Sequence, residues 1–246
     1  MNNSPIKVIT FDLDDTLWAI QPVLIKAEQQ VYNWLSEHAP KLTAQFSPQD
    51  FMHWRIKIYQ QQPELAHQIT RLRLVAVKQA MLNVGYDEKL AQRIAEQAFD
   101  IFIQARHDIT FFDTAEPMLA ALHPHYSLGA LSNGNADIFK LEMGRFFDFA
   151  FSAEQLNASK PAPEQFLAAQ SYGNTQPQQM IHIGDNHEHD IAGAIAAGWH
   201  SIWFNPSGEP YAGDTASQQG PTREVSCLSD IPAAISSIAK DLRQGV

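Results

Sequence analysis

The stretch "FDLDDTLW" puts three carboxylates, Asp12, Asp14 and Asp15, into four positions directly behind the apolar run "IKVIT". Alternation along an extended chain sends Asp12 and Asp14 to one side and Asp15 to the other. Two carboxylates so close repel, and both ionise comfortably only if a cation joins them or one keeps a proton. A hard divalent ion, Mg²⁺, suits an all-oxygen site with few protein ligands, and Asp185 in "IHIGDN" is placed to add an acid. A carboxylate is also an established nucleophile, aspartyl-phosphate being one of its products. A second carboxylate two residues on can protonate a leaving alcohol and then activate water. Phosphoryl transfer asks for little more than in-line positioning and neutralised phosphate oxygens.

Lys160 in "SKP" is the natural cation for that neutralisation. Pro161 biases it away from helical geometry, while Pro163 and Glu164 read as the first turn of a helix, so the lysine sits at a strand-to-helix junction. Ser132, Asn133 and Gly134 follow "LGAL" and offer a hydroxyl and main-chain N–H groups to a phosphate. Asp190, five residues after Asp185, serves either the outer shell of a metal or the dipole of the helix it opens. Taken singly, each motif has a plainer reading as a turn or a solvated residue. Their recurrence at one edge of one sheet outweighs it.

Those residues need elements to hold them. Short apolar runs, "KVITFDLD", "SLGALSN", "FAFSA", "MIHIGD" and "HSIWFNP", read as buried strands. The helical patterns "TAEPMLAALH", "PEQFLAAQSYG" and "DIAGAIAAG" lie between most of them, which predicts a parallel sheet covered on both faces. Ligands of such sheets bind beyond the carboxyl ends of the strands, where all four polar motifs fall. From Trp18 to Asp108 the texture changes to amphipathic segments such as "PVLIKAEQQVYNWLSEH" and "EKLAQRIAEQAFDIFIQARH" without a strand, as in a helical bundle. The expected domains are residues 1–17 with 109–246 as an α/β core and residues 18–108 as a helical insert. The tail from Ser229 to Arg243 predicts a closing helix, and "SGEPYAGDTASQQGP" a mobile loop.

Composition narrows the partners. The 246 residues carry 17 Lys+Arg against 27 Asp+Glu, a formal net charge of -10, which argues against a nucleic-acid binder. Cys227 is the only cysteine, so no intrachain disulfide forms, which fits a reducing compartment. No leader peptide is expected from "MNNSPIKVIT", and the uncharged stretch from Ile191 to Gly208 is broken by Gly193, Gly198, Asn205 and Pro206. A cytoplasmic protein without nucleic-acid or membrane partners is expected. A dinucleotide-binding module has little support, since no G-x-G-x-x-G follows the first strand and "SNGN" is too short to replace it.

The four motifs in this order, "ITFDLDDT", "LGALSN", "SKP" and "IHIGDNHEHD", resemble those of the haloacid-dehalogenase-like hydrolase superfamily, and the helical insert resembles its C1-type cap. The resemblance implies a Rossmann-like parallel-sheet core with an inserted all-helical cap. It also implies a Mg²⁺-dependent phosphomonoester hydrolase acting through an aspartyl-phosphate. By resemblance Asp12 is the nucleophile, Asp14 the general acid/base, and Ser132 and Lys160 the phosphate-binding pair, with Thr16 and Asn133 beside the substrate. Asp12, Asp185 and the main-chain carbonyl of Asp14 correspond to the Mg²⁺ ligands. Asp15 stands where many members have glycine and reads as solvated or outer-shell. Members that dehalogenate lack an acid at the position of Asp14, which argues for phosphatase chemistry. None of Lys26, Lys57, Lys78 and Lys89 is marked as a desolvated Schiff-base lysine.

The run of motifs, with "TRLRLVAVKQAML" and "GWHSIWFNP", is similar to bacterial phosphatases of flavin mononucleotide and of the riboflavin precursor 5-amino-6-(5-phosphoribitylamino)uracil phosphate. Sugar phosphates, nucleotides, or a catalytically idle role in binding a small phosphorylated metabolite are the alternatives. Trp18 reads as a packing anchor before a stacking platform. At most one of Arg71 and Arg73 reaches an anion, since two residues apart they do not share a helical face. His182, His187 and His189 read as solvated or outer-shell residues and not as a metal site.

Overall fold

The computed structural model describes residues 4–211 and 220–245. The described chain divides into two compact units, one formed by Ile20–Ile109, the other by the chain up to Ala19 and from Thr110 onward. The first unit is helical: α1 (Ile20–His38), α2 (Pro40–Thr43), α3 (Pro48–Gln61), α4 (Ile69–Asn83) and α5 (Glu88–Arg106). The apolar stripes of α1, α4 and α5 meet over Leu35, Ala80, Met81, Ala91, Ile94 and Ala98. Asp87 accepts the Leu90 N–H and so caps α5.

The second unit holds the sheet. Its strands are β1 (Val8–Phe11), β2 (Ser127–Ser132), β3 (Phe149–Ser152), β4 (Met180–Gly184), β5 (His200–Phe204) and β6 (Arg223–Val225), parallel and in the order β3-β2-β1-β4-β5-β6. Each of the five apolar runs forms a strand. They read as continuous apolar runs because helices cover both faces, so neither face selects polar residues. Helices α6 (Ala115–Leu122), α7 (Ala153–Leu156), α8 (Glu164–Gly173), α9 (Gly193–Ala196) and α10 (Ile231–Gln244) supply that cover.

Three expectations need correction or completion. The charged edge strand β6 was not expected, because three residues show no periodicity. The helix expected at "DIAGAIAAG" opens instead as a wide π-type turn over His187–Ala192, with α9 only four residues long. Both Asp190 and Ile191 direct their N–H groups to Asn186 O, at 2.9 and 3.3 Å, which widens the turn. The closing helix begins at Ile231, close to its predicted start. The middle of the stretch expected as a mobile loop lies outside the described residues. No helix among the described residues is long and apolar enough to cross a membrane.

Packing inside the sheet is tight at Gly129 of β2, which pairs with Phe149 of β3. A Cβ there would stand 2.2 Å from two atoms of the Phe149 ring. Tyr172, 4.4 Å from that ring, and Phe151, 5.7 Å away, limit its retreat. Gly129→Ala is therefore expected to cost about 1–3 kcal/mol by overpacking. Urea unfolding should show a lower midpoint at an unchanged m-value, and an unchanged midpoint would mean that the ring yields.

Candidate active site

The strand order reverses at β1, and the crevice beyond its carboxyl end is where open α/β sheets place ligands. Asp12 is the first residue past β1 and donates its main-chain N–H to Ile183 O of β4 at 2.8 Å. Ser132 ends β2, and Asp185 follows Gly184 at the end of β4. These residues with Asp14, Asp15, Asn133, Gly134, Lys160, Asn186, His189 and Asp190 line one cleft of about 180 Å³.

Lys160 is 1% exposed, and its ammonium touches Asp12 Oδ1 at 2.8 Å, Asp190 Oδ1 at 2.7 Å and Leu131 O at 2.5 Å. All three of its N–H donors are engaged. Asn133 holds the lysine's main chain from both ends: its Nδ2 donates to Lys160 O at 2.9 Å, and Lys160 N donates to its Oδ1 at 2.8 Å. Gln165 steadies Asn133 from α8 by a 3.0 Å bond to the same Oδ1. Asn133, expected beside substrate, lines the cleft and also positions the main chain of Lys160. Ser132 Oγ accepts the Gly134 N–H at 3.0 Å, and its own hydroxyl proton stays available to a ligand.

Thr16 is fully buried, accepts the Asp185 N–H at 3.1 Å and reaches Asp185 Oδ1 at 3.1 Å and Asp12 Oδ2 at 3.5 Å. It ties the two acids together from beneath. Asp15 is exposed with φ 59°, a left-handed conformation that aspartate tolerates better than most side chains and that glycine adopts freely. Asp14 Oδ1 accepts the Trp18 indole N–H at 2.9 Å. Trp18 is itself buried, edge-on to Phe111 at 5.3 Å. It anchors the loop that follows β1, and its burial leaves no open face for a planar ligand.

The electrostatics call for a cation. Burial pushes the Asp12 carboxyl well up; Lys160 pulls it back, while Asp190 and Asp185 add to the rise. Burial, with Asp190 nearby, also raises Asp185, to about 6. Burial works the same way on Asp190, yet Lys160 and His182 hold it below the ordinary range. Carboxylate oxygens of Asp12, Asp185 and Asp190 lie within 4.8 Å of one another. With all three ionised, the carboxylates outnumber the one ammonium by two negative charges, which a divalent ion would cancel. The all-oxygen donor set fits a hard cation. Asp190 is already met by Lys160, by His182 and, on Oδ2, by Asn186 N at 3.0 Å, so Asp12 and Asp185 are the better ligands. Asp14 is outside this acid cluster.

The remaining predicted residues fall elsewhere. Arg73 stays within the helical unit, paired with Glu28 at 2.6 Å and lying 3.8 Å over the Phe102 ring, while Arg71 is exposed. Lys26 pairs with Asp108, Lys78 with Glu88 at 3.1 Å, Lys57 lies over Trp54, and Lys89 is exposed, so none of the four is a desolvated Schiff-base lysine. His189 is exposed on the cleft and His187 half-buried against Tyr211. His182 is not solvated as one expectation had it: it is completely buried and bonded to Asp190 at 3.1 Å. The signal that sequence reading passed over was its place in a strand flanked by Ile181 and Ile183, where a polar side chain must find partners.

Residues 6–198 match the family model of haloacid dehalogenase-like hydrolases. The chain belongs to that family. It is 29% identical over 230 residues to the 5-amino-6-(5-phospho-D-ribitylamino)uracil phosphatase YigB of Escherichia coli, an alignment covering 94% of this chain and 96% of that protein. Pyrimidine 5'-nucleotidase YjjG of Escherichia coli is 27% identical over 140 residues, 53% of this chain and 62% of that protein. A crystal structure of 2-haloacid dehalogenase from Pseudomonas syringae pv. Tomato DC3000 superposes with TM-score 0.88 at 36% identity, covering 94% of this chain and 99% of that one. The expectation of a hydrolase with this fold is met.

Asp185 gives the site a measurable signature. Its folded pKa of about 6 exceeds the ordinary aspartate value of 3.8, so the stability it contributes is present at low pH and lost as pH rises through 6. Ionised at pH 7.5 without a cation, it costs roughly 3 kcal/mol at 1.36 kcal/mol per unit. In chelator, Asp185→Asn should therefore melt above wild type at pH 7.5. Added Mg²⁺ should raise the wild-type Tm and leave Asp185→Asn nearly unmoved. Equal shifts in both proteins would place the cation elsewhere.

Proposed function

We propose that the protein is a Mg²⁺-dependent phosphomonoesterase acting on a small phosphorylated metabolite through an aspartyl-phosphate. The observation that carries this is the buried Lys160 ammonium shared by Asp12 and Asp190 beside Asp185, at the mouth of a cleft whose other wall offers the Ser132 hydroxyl. Asp12 attacks phosphorus and the P–O ester bond breaks. Asp14 gives its proton to the departing alkoxide. Water then attacks the phosphorus, Asp14 takes its proton, and phosphate leaves with Asp12 restored. Ser132 and Lys160 balance charge on the phosphate oxygens, and Asn133 and Thr16 keep Lys160 and Asp12 in place. Asp12, Asp185 and the main-chain carbonyl of Asp14 would hold Mg²⁺, which would supply charge neutralisation during transfer. The helical unit Ile20–Ile109 is read as the cap of the family.

The Pseudomonas syringae relative carries a dehalogenase name, so the two chemistries must be separated. Halide departs without a proton, whereas an alkoxide needs one, and a dehalogenase has no use for an acid at Asp14. That acid supports the phosphatase. For the substrate, the Escherichia coli relative matched along nearly its whole length supports 5-amino-6-(5-phosphoribitylamino)uracil, with flavin mononucleotide kept from the motif resemblance. The nucleotidase relative supports nucleotides as the second reading, and sugar phosphates stay on the panel beside them. We read the protein as cytoplasmic.

Release of inorganic phosphate from a panel of these compounds should need Mg²⁺ and fall at least about 1,000-fold in Asp12→Asn, the scale lost with a catalytic nucleophile. Halide release from 2-chloropropionate, measured alongside, should be absent. Metal-independent halide release retained by Asp14→Asn would overturn the phosphatase, and no turnover with any compound would favour an idle binder.

A further inference from the structure

We infer that His182, fixed by Thr10, is a positioning residue that holds Asp190 so that the Lys160 ammonium stays shared between Asp190 and Asp12. The structural part stands on geometry alone; its kinetic consequence rests on the phosphatase reading. Thr10 and His182 face each other in register on β1 and β4. Thr10 Oγ1 lies 2.8 Å from His182 Nδ1, and His182 Nε2 lies 3.1 Å from Asp190 Oδ1. Thr10 and His182 are completely buried, and Asp190 is 1% exposed.

Donor accounting fixes the tautomer. An ionised carboxylate only accepts, so Nε2 carries the proton; in a neutral ring Nδ1 is then bare and accepts from the Thr10 hydroxyl at 2.8 Å, a closer contact than the 3.4 Å from that hydroxyl to Ile181 O. Burial keeps the ring neutral. Hydrogen bonds thus run from Thr10 to His182 to Asp190, which Lys160 meets from the other side before reaching Asp12. The Phe166 ring, edge-on at 5.4 Å, holds the imidazole plane.

Thr10 and His182 are sealed from solvent, so a donor lost at His182 is not replaced by water. Without the His182 N–H, the Asp190 Oδ1 charge falls to Lys160 alone. The ammonium then shifts toward Asp190, and Asp12 loses the counter-charge that keeps it ionised and aimed. Simple filling of space would be served as well by an apolar side chain of similar size.

The test compares His182→Leu, which removes the donor, with His182→Gln, whose amide N–H reaches a similar point, and Thr10→Val, which removes the hydroxyl. Kinetics on the best panel substrate should show kcat reduced about 10-fold or more in His182→Leu with KM within about 2-fold, the scale for lost outer-shell partners. His182→Gln should recover most of the rate, and Thr10→Val should fall between. Nitrogen-15 NMR of the wild type should show a protonated Nε2 and a bare Nδ1 at His182. Exchange-protected Lys160 Nζ protons should persist in His182→Gln and vanish in His182→Leu.

Equal kcat in His182→Leu and wild type, equal losses in the Leu and Gln variants, or a proton on Nδ1 would each overturn the inference. If His182→Leu does not fold, Thr10→Val and the wild-type spectrum decide it. If the wild type releases phosphate from nothing on the panel, the phosphatase reading falls, while the spectra still decide the positioning role.

Discussion

One buried ammonium organises the site. Lys160 is 1% exposed and carries a charge that the interior tolerates only when fully compensated. Burial drives its pKa down, yet Asp12 and Asp190 more than offset this, and the group stays charged. Each compensating partner is tied to a different strand: Asp12 to the end of β1, Leu131 O to β2, and Asp190 to the turn after β4. The reversal of strand order at β1 brings those three ends together. A sheet with another order would leave the lysine with a missing acceptor.

The same constraint explains features that otherwise look incidental. Gly184 lies where a Cβ would come within 2.3 Å of Asp190 Cγ and Oδ2, so the chain keeps a glycine there to let Asp190 pass beneath β4. The turn at His187–Ala192 widens because Asn186 accepts two successive N–H groups while its own N–H donates to Asp190 Oδ2. Asn133 and Gln165 together clamp the main chain of Lys160. Precision at one nitrogen atom is set by residues from five separate segments.

What the sequence made legible was whatever repeats or follows an order. Five strands stood out as apolar runs, the helical insert as a change of texture, and the acids as motifs at strand ends. Aspartate at position 15 could be matched to a glycine position, and its positive φ gives the reason. Hidden from that reading was whatever depends on which distant side chain answers a buried group. The burial of His182, the duty of Asn133 toward Lys160 and the turn of Asp14 toward Trp18 all depend on partners in three dimensions. Strand β6 was hidden for a different reason: Arg223 in it is held by Ser237 and Asp241 of α10, and three residues carry too little pattern.

A consequence for phosphate recognition follows from the donor count at Lys160. With three N–H groups already bonded, the ammonium meets a substrate oxygen only by giving one of them up. Of its acceptors, Leu131 O is the neutral one, and surrendering it costs less than uncovering either buried carboxylate. Exchange at that carbonyl would keep Lys160 bound to Asp12 and Asp190 while one proton turns to the phosphate. The Ser132 hydroxyl, one residue beyond Leu131 on the same strand, stands beside that exchange and can donate to the same oxyanion. In the proposed reaction, the arrangement would let charge reach the substrate without ever leaving Asp190 or Asp12 without a counter-ion.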